Sequence, residues 1–250
     1  AAREEAGGLS MWVDLHMHSC LSPCADDDMT PANIAGMAYL NGIRLMALTD
    51  HNTCGNCAAF MQACRQYGIV AVPGMELETS EAVHLVCLFD ELEKALDFYA
   101  EVRTHYVPLD NRPEIFGNQL FVNAEDEVVG EEKQLLLAST DLDLLSAAEL
   151  VRHYGGAVYP AHIDRTSNGI IAILGAVPPE PGFTAVEVRD RENREKYVKD
   201  YGLEDKRVIV SSDAHHLWDI REDPESLELD DEPYSSAKVR RSLIKLLRGE

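Results

Sequence analysis

The chain has 250 residues, 46% of them hydrophobic, which is enough to bury the core of one large domain and excludes a disordered chain. Its formal net charge of −22, from 22 basic against 44 acidic residues, disfavours a long nucleic-acid partner, although a small anion could still be drawn to a pocket holding cations. No apolar run reaches the length of a membrane span and no signal-like stretch stands near the start, so the sequence reads as cytoplasmic.

Residues 1–10 are small and charged with no strand pattern, and we set them aside as an N-terminal extension, with Met11 as the natural start and 11–250 as one domain. Short β-branched or apolar runs follow at 12–16, 44–49, 69–73, 83–89, 157–159, 184–188 and 208–210. Amphipathic helical patterns lie between several of them, at 31–41, 57–67, 91–106, 146–154 and 191–201. Thr30 and Pro31 form a helix start, and Gly42 and Gly68 stand where a left-handed residue closes a helix. Alternation of this kind predicts an α/β fold of βα units, and seven strands favour a barrel over an open sheet.

One join differs. The third strand runs through Glu76 to Thr79 and the next begins near Val83, too few residues for a parallel crossover. The two should form a hairpin, with His84 opening the return strand at the rim where the first one ends. Residues 110–145 break the rhythm and read as a small insert with a β-hairpin at 119–123 and 128–130. The acidic, proline-bearing stretch 222–233 reads as a surface loop. Lys238, Arg240, Arg241, Lys245 and Arg248 fit the solvated face of a C-terminal helix.

Nearly every strand ends in a potential metal ligand: Asp14-Leu-His16-Met-His18, Thr49-Asp50-His51, Gly74-Met-Glu76, His84, Pro160-Ala-His162 and Ser212-Asp213-Ala-His215. In a parallel barrel these ends share one rim, where active sites are built. Residues two apart on an extended strand face the same way, so His16 and His18 can grip one ion, as can Asp213 and His215 if extension continues there. A lone histidine is ordinarily a core or surface residue; the weight lies in the ordered set, which His105, His153 and His216 do not join. Imidazole with carboxylate suits zinc, manganese or iron. Cys20 and Cys24, and the C-x-x-C pair Cys54 and Cys57, read as free thiols, with a further metal site or a redox pair as alternatives.

These ordered motifs resemble the PHP (polymerase and histidinol phosphatase) domain family, over about four-fifths of the chain from Trp12 to His216, and the insert resembles that of its small-phosphoesterase branch. The resemblance implies a distorted seven-stranded (β/α)7 barrel, TIM-like, with a small inserted subdomain. It implies two or three divalent metal ions (Mn, Zn or Fe). The first would be held by His16, His18, Glu76 and Asp213, with Glu76 bridging to a second that adds His84 and His162. The third would use His51, His215 and an aspartate before Thr30-Pro31; counting back favours Asp26, with Asp27 and Asp28 as competitors. Asp50 is either a ligand or an acceptor that orients an imidazole.

Arg165, three residues past His162, could hold a phosphate oxygen with its guanidinium fork, or be a plain surface arginine. The function expected is hydrolysis of a small phosphomonoester, a nucleotide or nucleotide bisphosphate, by in-line attack of a metal-bound hydroxide. Asp213, His215 or a metal-bound water would protonate the leaving oxygen. The alternatives are a metal amidohydrolase, for which Glu76 stands where a modified lysine often bridges, and a non-catalytic PHP module.

Overall fold

The computed structural model of the protein describes residues 9–231 and 234–250. In chain order the elements are β1 (Leu9–Asp14), α1 (Pro31–Leu40), β2 (Leu45–Leu48), α2 (Cys57–Gln66), β3 (Val70–Glu78), β4 (His84–Leu88), α3 (Leu92–Val102), α4 (Pro113–Phe116), β5 (Leu120–Val122), β6 (Val128–Glu131), α5 (Leu144–His153), β7 (Ala157–Pro160), α6 (Ile170–Leu174), β8 (Ala185–Val188), α7 (Arg194–Tyr201), β9 (Arg207–Val210), β10 (Glu225–Leu229) and α8 (Ser236–Arg248).

The sheet is a curled half-barrel of six strands in the order β10-β1-β2-β3-β4-β7, with β8 and β9 as a separate parallel pair. β1, β2 and β3 run parallel, and β4 returns antiparallel to β3 through a hairpin at Thr79–Val83. The strands alternate between two cores. Leu15, Leu45, Val72, Val86, Tyr159 and Ile209 face inward and meet the apolar stripe Val239, Leu243, Ile244 and Leu247 of α8. The intervening residues pack under α1, α2, α3, α5 and α6.

The seven expected strands do not form one closed ladder. β10 pairs antiparallel with residues 9–13 of β1 and occupies the edge a closing strand would take. β9 therefore reaches the first strand only beyond its end, through a parallel bridge between Met17 and Ala214. β7 and β8 are linked at the rim by Ile163 N–H donating to Glu187 O at 2.8 Å. β10 also corrects two expectations. The stretch 222–233 is not all loop, because Leu227 and Leu229 alternate with exposed neighbours and bury their side chains. Leu9 and Ser10 belong to β1 and not to an extension; residues 1–8 and 232–233 lie outside the described residues.

Local signals hold at the first helix: Thr30 Oγ1 accepts from Asn33 N–H, Pro31 takes the first turn, and Gly42 adopts φ +76° after the last. The stretch 110–145 carries the β5–β6 hairpin and lies on the loops of the rim. Leu120 N–H donates to Cys20 O at 2.9 Å, and Asn56 Oδ1 accepts from Val122 N–H at 3.1 Å. Asp126 adds a second cap to α1, accepting from Thr30 Oγ1 at 2.5 Å and Ala32 N–H at 3.1 Å. Gly117, at φ +103°, sits so close to Pro23 that a Cβ would lie 2.0 Å from the Pro23 carbonyl oxygen. No helix among the described residues is long and apolar enough to cross a membrane.

Candidate metal centre

The strand ends converge on Glu76. Its Oε1 lies 2.7 Å from His84 Nδ1, 2.9 Å from His162 Nε2 and 3.3 Å from His16 Nε2. Its Oε2 lies 3.2 Å from His18 Nε2 and 3.0 Å from His51 Nδ1. Asp213 faces it from the other side, with Oδ1 3.4 Å from His16 Nε2 and 3.3 Å from His18 Nε2. His215 stacks on His18 with ring centroids 4.2 Å apart.

Two donors rest on left-handed backbone, His162 at φ +26° and Asp213 at φ +53°. Non-glycine residues pay about 1–3 kcal/mol for such conformations, which persist where surrounding bonds impose them. Here Asp213 N–H donates to His16 O at 3.0 Å and His162 N–H to Glu187 Oε1 at 3.0 Å. Because Asp213 is not extended, it and His215 do not face one way as H-x-H does. Asp213 joins His16 and His18, while His215 joins His18 and His51.

A ring of acceptors fixes the imidazoles from behind. His16 Nδ1 lies 2.8 Å from Glu187 Oε1, and His84 Nε2 lies 3.1 Å from Glu78 Oε2. His18 Nδ1 lies 3.0 Å from Ser22 Oγ, which donates to Asp50 Oδ1 at 2.7 Å. Asp50 also accepts from Ser19 N–H and Ser19 Oγ, so it acts on His18 through one hydroxyl and does not face the cluster.

Burial and charge oppose each other throughout. Burial disfavours the charged form of His16, but Glu187, Glu76 and Asp213 outweigh it and hold its pKa well above the ordinary value. His84, buried but beside Glu76 and Glu78, is raised to about 9. Burial wins at His51, which lies well below its ordinary value, and at His215, lowered to about 4 with the charge of His18 adding to the effect. Burial also disfavours ionised Glu76 and Asp213, yet His84, His16 and His51 around the first, and His16 and His18 around the second, hold both well below the carboxylate range.

The donor set fits divalent cations. One atom each from His16, His18, Glu76 and Asp213 lie within 4.8 Å of one another, as do those of His18, His51 and His215, and of His51, Glu76 and His84. Glu76 Oε2, His51 Nδ1 and Asp213 Oδ1 are buried without a hydrogen-bond partner, although Glu76 Oε2 and His51 Nδ1 are only 3.0 Å apart. Leaving such atoms unpaired is costly, and a cation between them would satisfy all three.

Eight of the nine expected ligands, His16, His18, His51, Glu76, His84, His162, Asp213 and His215, thus meet in one place. Asp26 reaches the site by its main chain, its N–H donating to His215 O at 2.9 Å, but its exposed carboxylate joins none of these groups and accepts from Asp28 N–H at 3.2 Å. Asp27 instead accepts from Asn118 Nδ2 of the insert at 2.7 Å. Arg165 borders the cluster on a partly exposed side, its Nη1 2.7 Å from Asp213 Oδ2 and its side chain 35% exposed. Cys54 and Cys57 are buried, their thiols donating to Gly74 O at 3.2 and 3.5 Å, and among the described residues no cysteine joins a metal-binding group. Glu187 and Glu78 escaped the sequence reading. The signal for Glu187 was one carboxylate inside the apolar stretch 184–188, and for Glu78 its place two residues beyond Glu76.

A family model described as the PHP domain matches residues 14–174. A 5'-3' exoribonuclease of Haemophilus influenzae is 33% identical over 82 residues, which is 31% of this chain and 29% of that protein. A 3',5'-nucleoside bisphosphate phosphatase of Chromobacterium violaceum is 36% identical over 88 residues, 34% of this chain and 30% of that protein. Each alignment spans less than a third of the relative. Among solved structures, a lesion-specific endonuclease from Pyrococcus furiosus matches 96% of this chain and 56% of its own at a TM-score of 0.68 and 16% identity, a likeness of fold alone.

Proposed function

The chain belongs to the PHP domain family, and from that premise we propose that it is a metal-dependent phosphoesterase acting on a small terminal phosphomonoester, a nucleotide or nucleotide bisphosphate. The observation that carries the reading is Glu76, one buried carboxylate within 3.3 Å of five imidazoles. That is an arrangement for bridging two cations. His16, His18 and Asp213 would complete one site with it, and His84 and His162 another; His51 and His215, with His18, form a third group.

Bound divalent ions would supply Lewis acidity, lowering the pKa of a water and neutralising phosphoryl oxygens. The chain's own contribution is placement. Glu187, Glu78 and Ser22 fix ring nitrogens, so the histidines meet an ion without rotamer search. Arg165 is anchored through Nη1 on Asp213 and is 35% exposed; among the described residues its other guanidinium N–H groups make no hydrogen bond, and they would orient a phosphoryl oxygen.

Similarity to the exoribonuclease favours a second reading, attack at the end of a polynucleotide. The net charge of −22 opposes it, since an acidic surface repels a polyanion while a mononucleotide meets mainly the centre and Arg165. The test compares a mononucleotide, a pentanucleotide and a 20-mer with the same terminal phosphate, at low and moderate salt. We expect kcat/KM to fall with length. A rise with length that shrinks as salt is added would establish a strand-binding enzyme instead.

A further inference from the structure

We infer that Glu187 is the positioning residue of this centre, one carboxylate oxygen setting the ring tautomer of His16 and the backbone posture of His162 together. The inference rests on reading the cluster as a metal centre.

His16 Nδ1 and Glu187 Oε1 are 2.8 Å apart, with side chains 0% and 1% exposed. A carboxylate only accepts, so the ring must carry its proton on Nδ1. In the neutral ring, the form that binds an ion, that leaves the Nε2 lone pair directed at the cluster, 3.3 Å from Glu76 Oε1 and 3.4 Å from Asp213 Oδ1. Without that acceptor the ring could equally protonate Nε2, and the ligand atom would be lost.

The same Oε1 accepts from His162 N–H at 3.0 Å, and the Glu187 main-chain oxygen accepts from the next N–H, Ile163, at 2.8 Å. Two successive amides are thus gathered by one residue where His162 takes φ +26°. This posture places His162 Nε2 2.9 Å from Glu76 Oε1. Glu187 belongs to β8, outside the six-stranded ladder that carries His162, so it holds the two metal half-sites at a fixed spacing across the seam where that ladder is open.

Two variants and two readouts test this. The tautomer of His16 is read from its ring 15N shifts in metal-free protein at a pH alkaline enough to leave the ring neutral, and affinity from titration of Mn2+ into chelator-treated protein. Glu187→Ala should lose the Nδ1–H tautomer of His16 and bind Mn2+ about tenfold to a hundredfold more weakly. Glu187→Gln keeps an oxygen that can accept both bonds, so its tautomer should remain and its affinity should fall less. If Glu187→Ala does not fold, Glu187→Asp, whose oxygen is withdrawn by one methylene, takes its place with the same expected direction. A wild-type tautomer with affinity within about twofold of wild type in that variant overturns the inference. If the wild-type protein itself binds no Mn2+, the centre reading fails, while the tautomer comparison needs no ion and still decides the role of Glu187.

Discussion

Asp213→Asn removes one charge and little else. Asparagine, like aspartate, tolerates left-handed backbone, so the φ of +53° brings no new strain. The charge is lost at the point where His16 Nε2 and His18 Nε2 approach within 3.4 and 3.3 Å, and opposite Arg165 at 2.7 Å. Hydrogen bonds to charged groups contribute about 1.5–3 kcal/mol against about 0.5–1.5 for neutral ones. The Arg165 contact therefore weakens by about 1–1.5 kcal/mol before screening, and by less after it, since that side chain is 35% exposed. The larger effect is on the ion. Changes one bond removed from a ligand already cost about tenfold to a hundredfold in affinity. For the ligand itself we expect kcat to fall at least about a hundredfold, about 2.7 kcal/mol at about 1.36 kcal/mol per tenfold. The assay is phosphate release from a mononucleotide at saturating Mn2+, with ion content by elemental analysis and a thermal melt to confirm folding. A folded variant that keeps its ions and turns over within about threefold of wild type would remove Asp213 from the chemistry.

Chelator treatment should lower the melting temperature. An ion present at about 100 times its Kd adds about 2.7 kcal/mol, or roughly 5–10 °C for a chain of this size; an unchanged melt would argue against a built metal site. Gly117→Ala must strain φ +103° and drive a Cβ into the Pro23 carbonyl, so amides of β5 and β6 should lose hydrogen-exchange protection while β1–β4 keep theirs. Asp143 caps α5 by accepting from Ser146 N–H, and Asp143→Ala should cost about 1 kcal/mol in urea unfolding. That same bond lowers its folded pKa below 3.8, so the contribution is complete above that value and is lost as pH falls through the folded pKa; a cost undiminished at low pH would refute the assignment. Cys54→Ser with Cys57→Ser should keep its ions and turnover, because the thiols face Gly74 O and not the cluster; loss of one ion would place a further site there.

What could be read in the sequence followed from local periodicity. The hairpin at Thr79–Val83 was legible because a chain of that length has no other route, and it put His84 at the rim where β3 ends, where the strand register pairs it with Glu78. The group of side chains that gathers around Glu76 was legible because strand ends share a rim. Partners that act across a distance were not. Glu187 meets His16 at a separation of 171 residues, and nothing near it in the sequence names that imidazole. Counting back from Thr30 led to a residue whose N–H meets His215 O, but it could not foresee the turn in which one oxygen of the Asp26 carboxylate accepts from Asp28 N–H. β10 was hidden by composition: its glutamates read as loop, though every second residue faces the core.

The bridge between Met17 and Ala214 has a consequence for how the chain finds its alignment. These two residues stand between His16 and His18 on one side and between Asp213 and His215 on the other, tied by His18 N–H to Ala214 O and Asp213 N–H to His16 O, both at 3.0 Å. A slip of one residue along this short junction would preserve a parallel pairing but turn the carboxylate away from both rings. Ion binding would then act as proofreading, since only the correct alignment presents a complete set of donors. It would also act as a clasp. The strength with which the β8–β9 half is held to β1 would depend on the concentration of free metal around the protein, and ion-starved molecules would open first along this line.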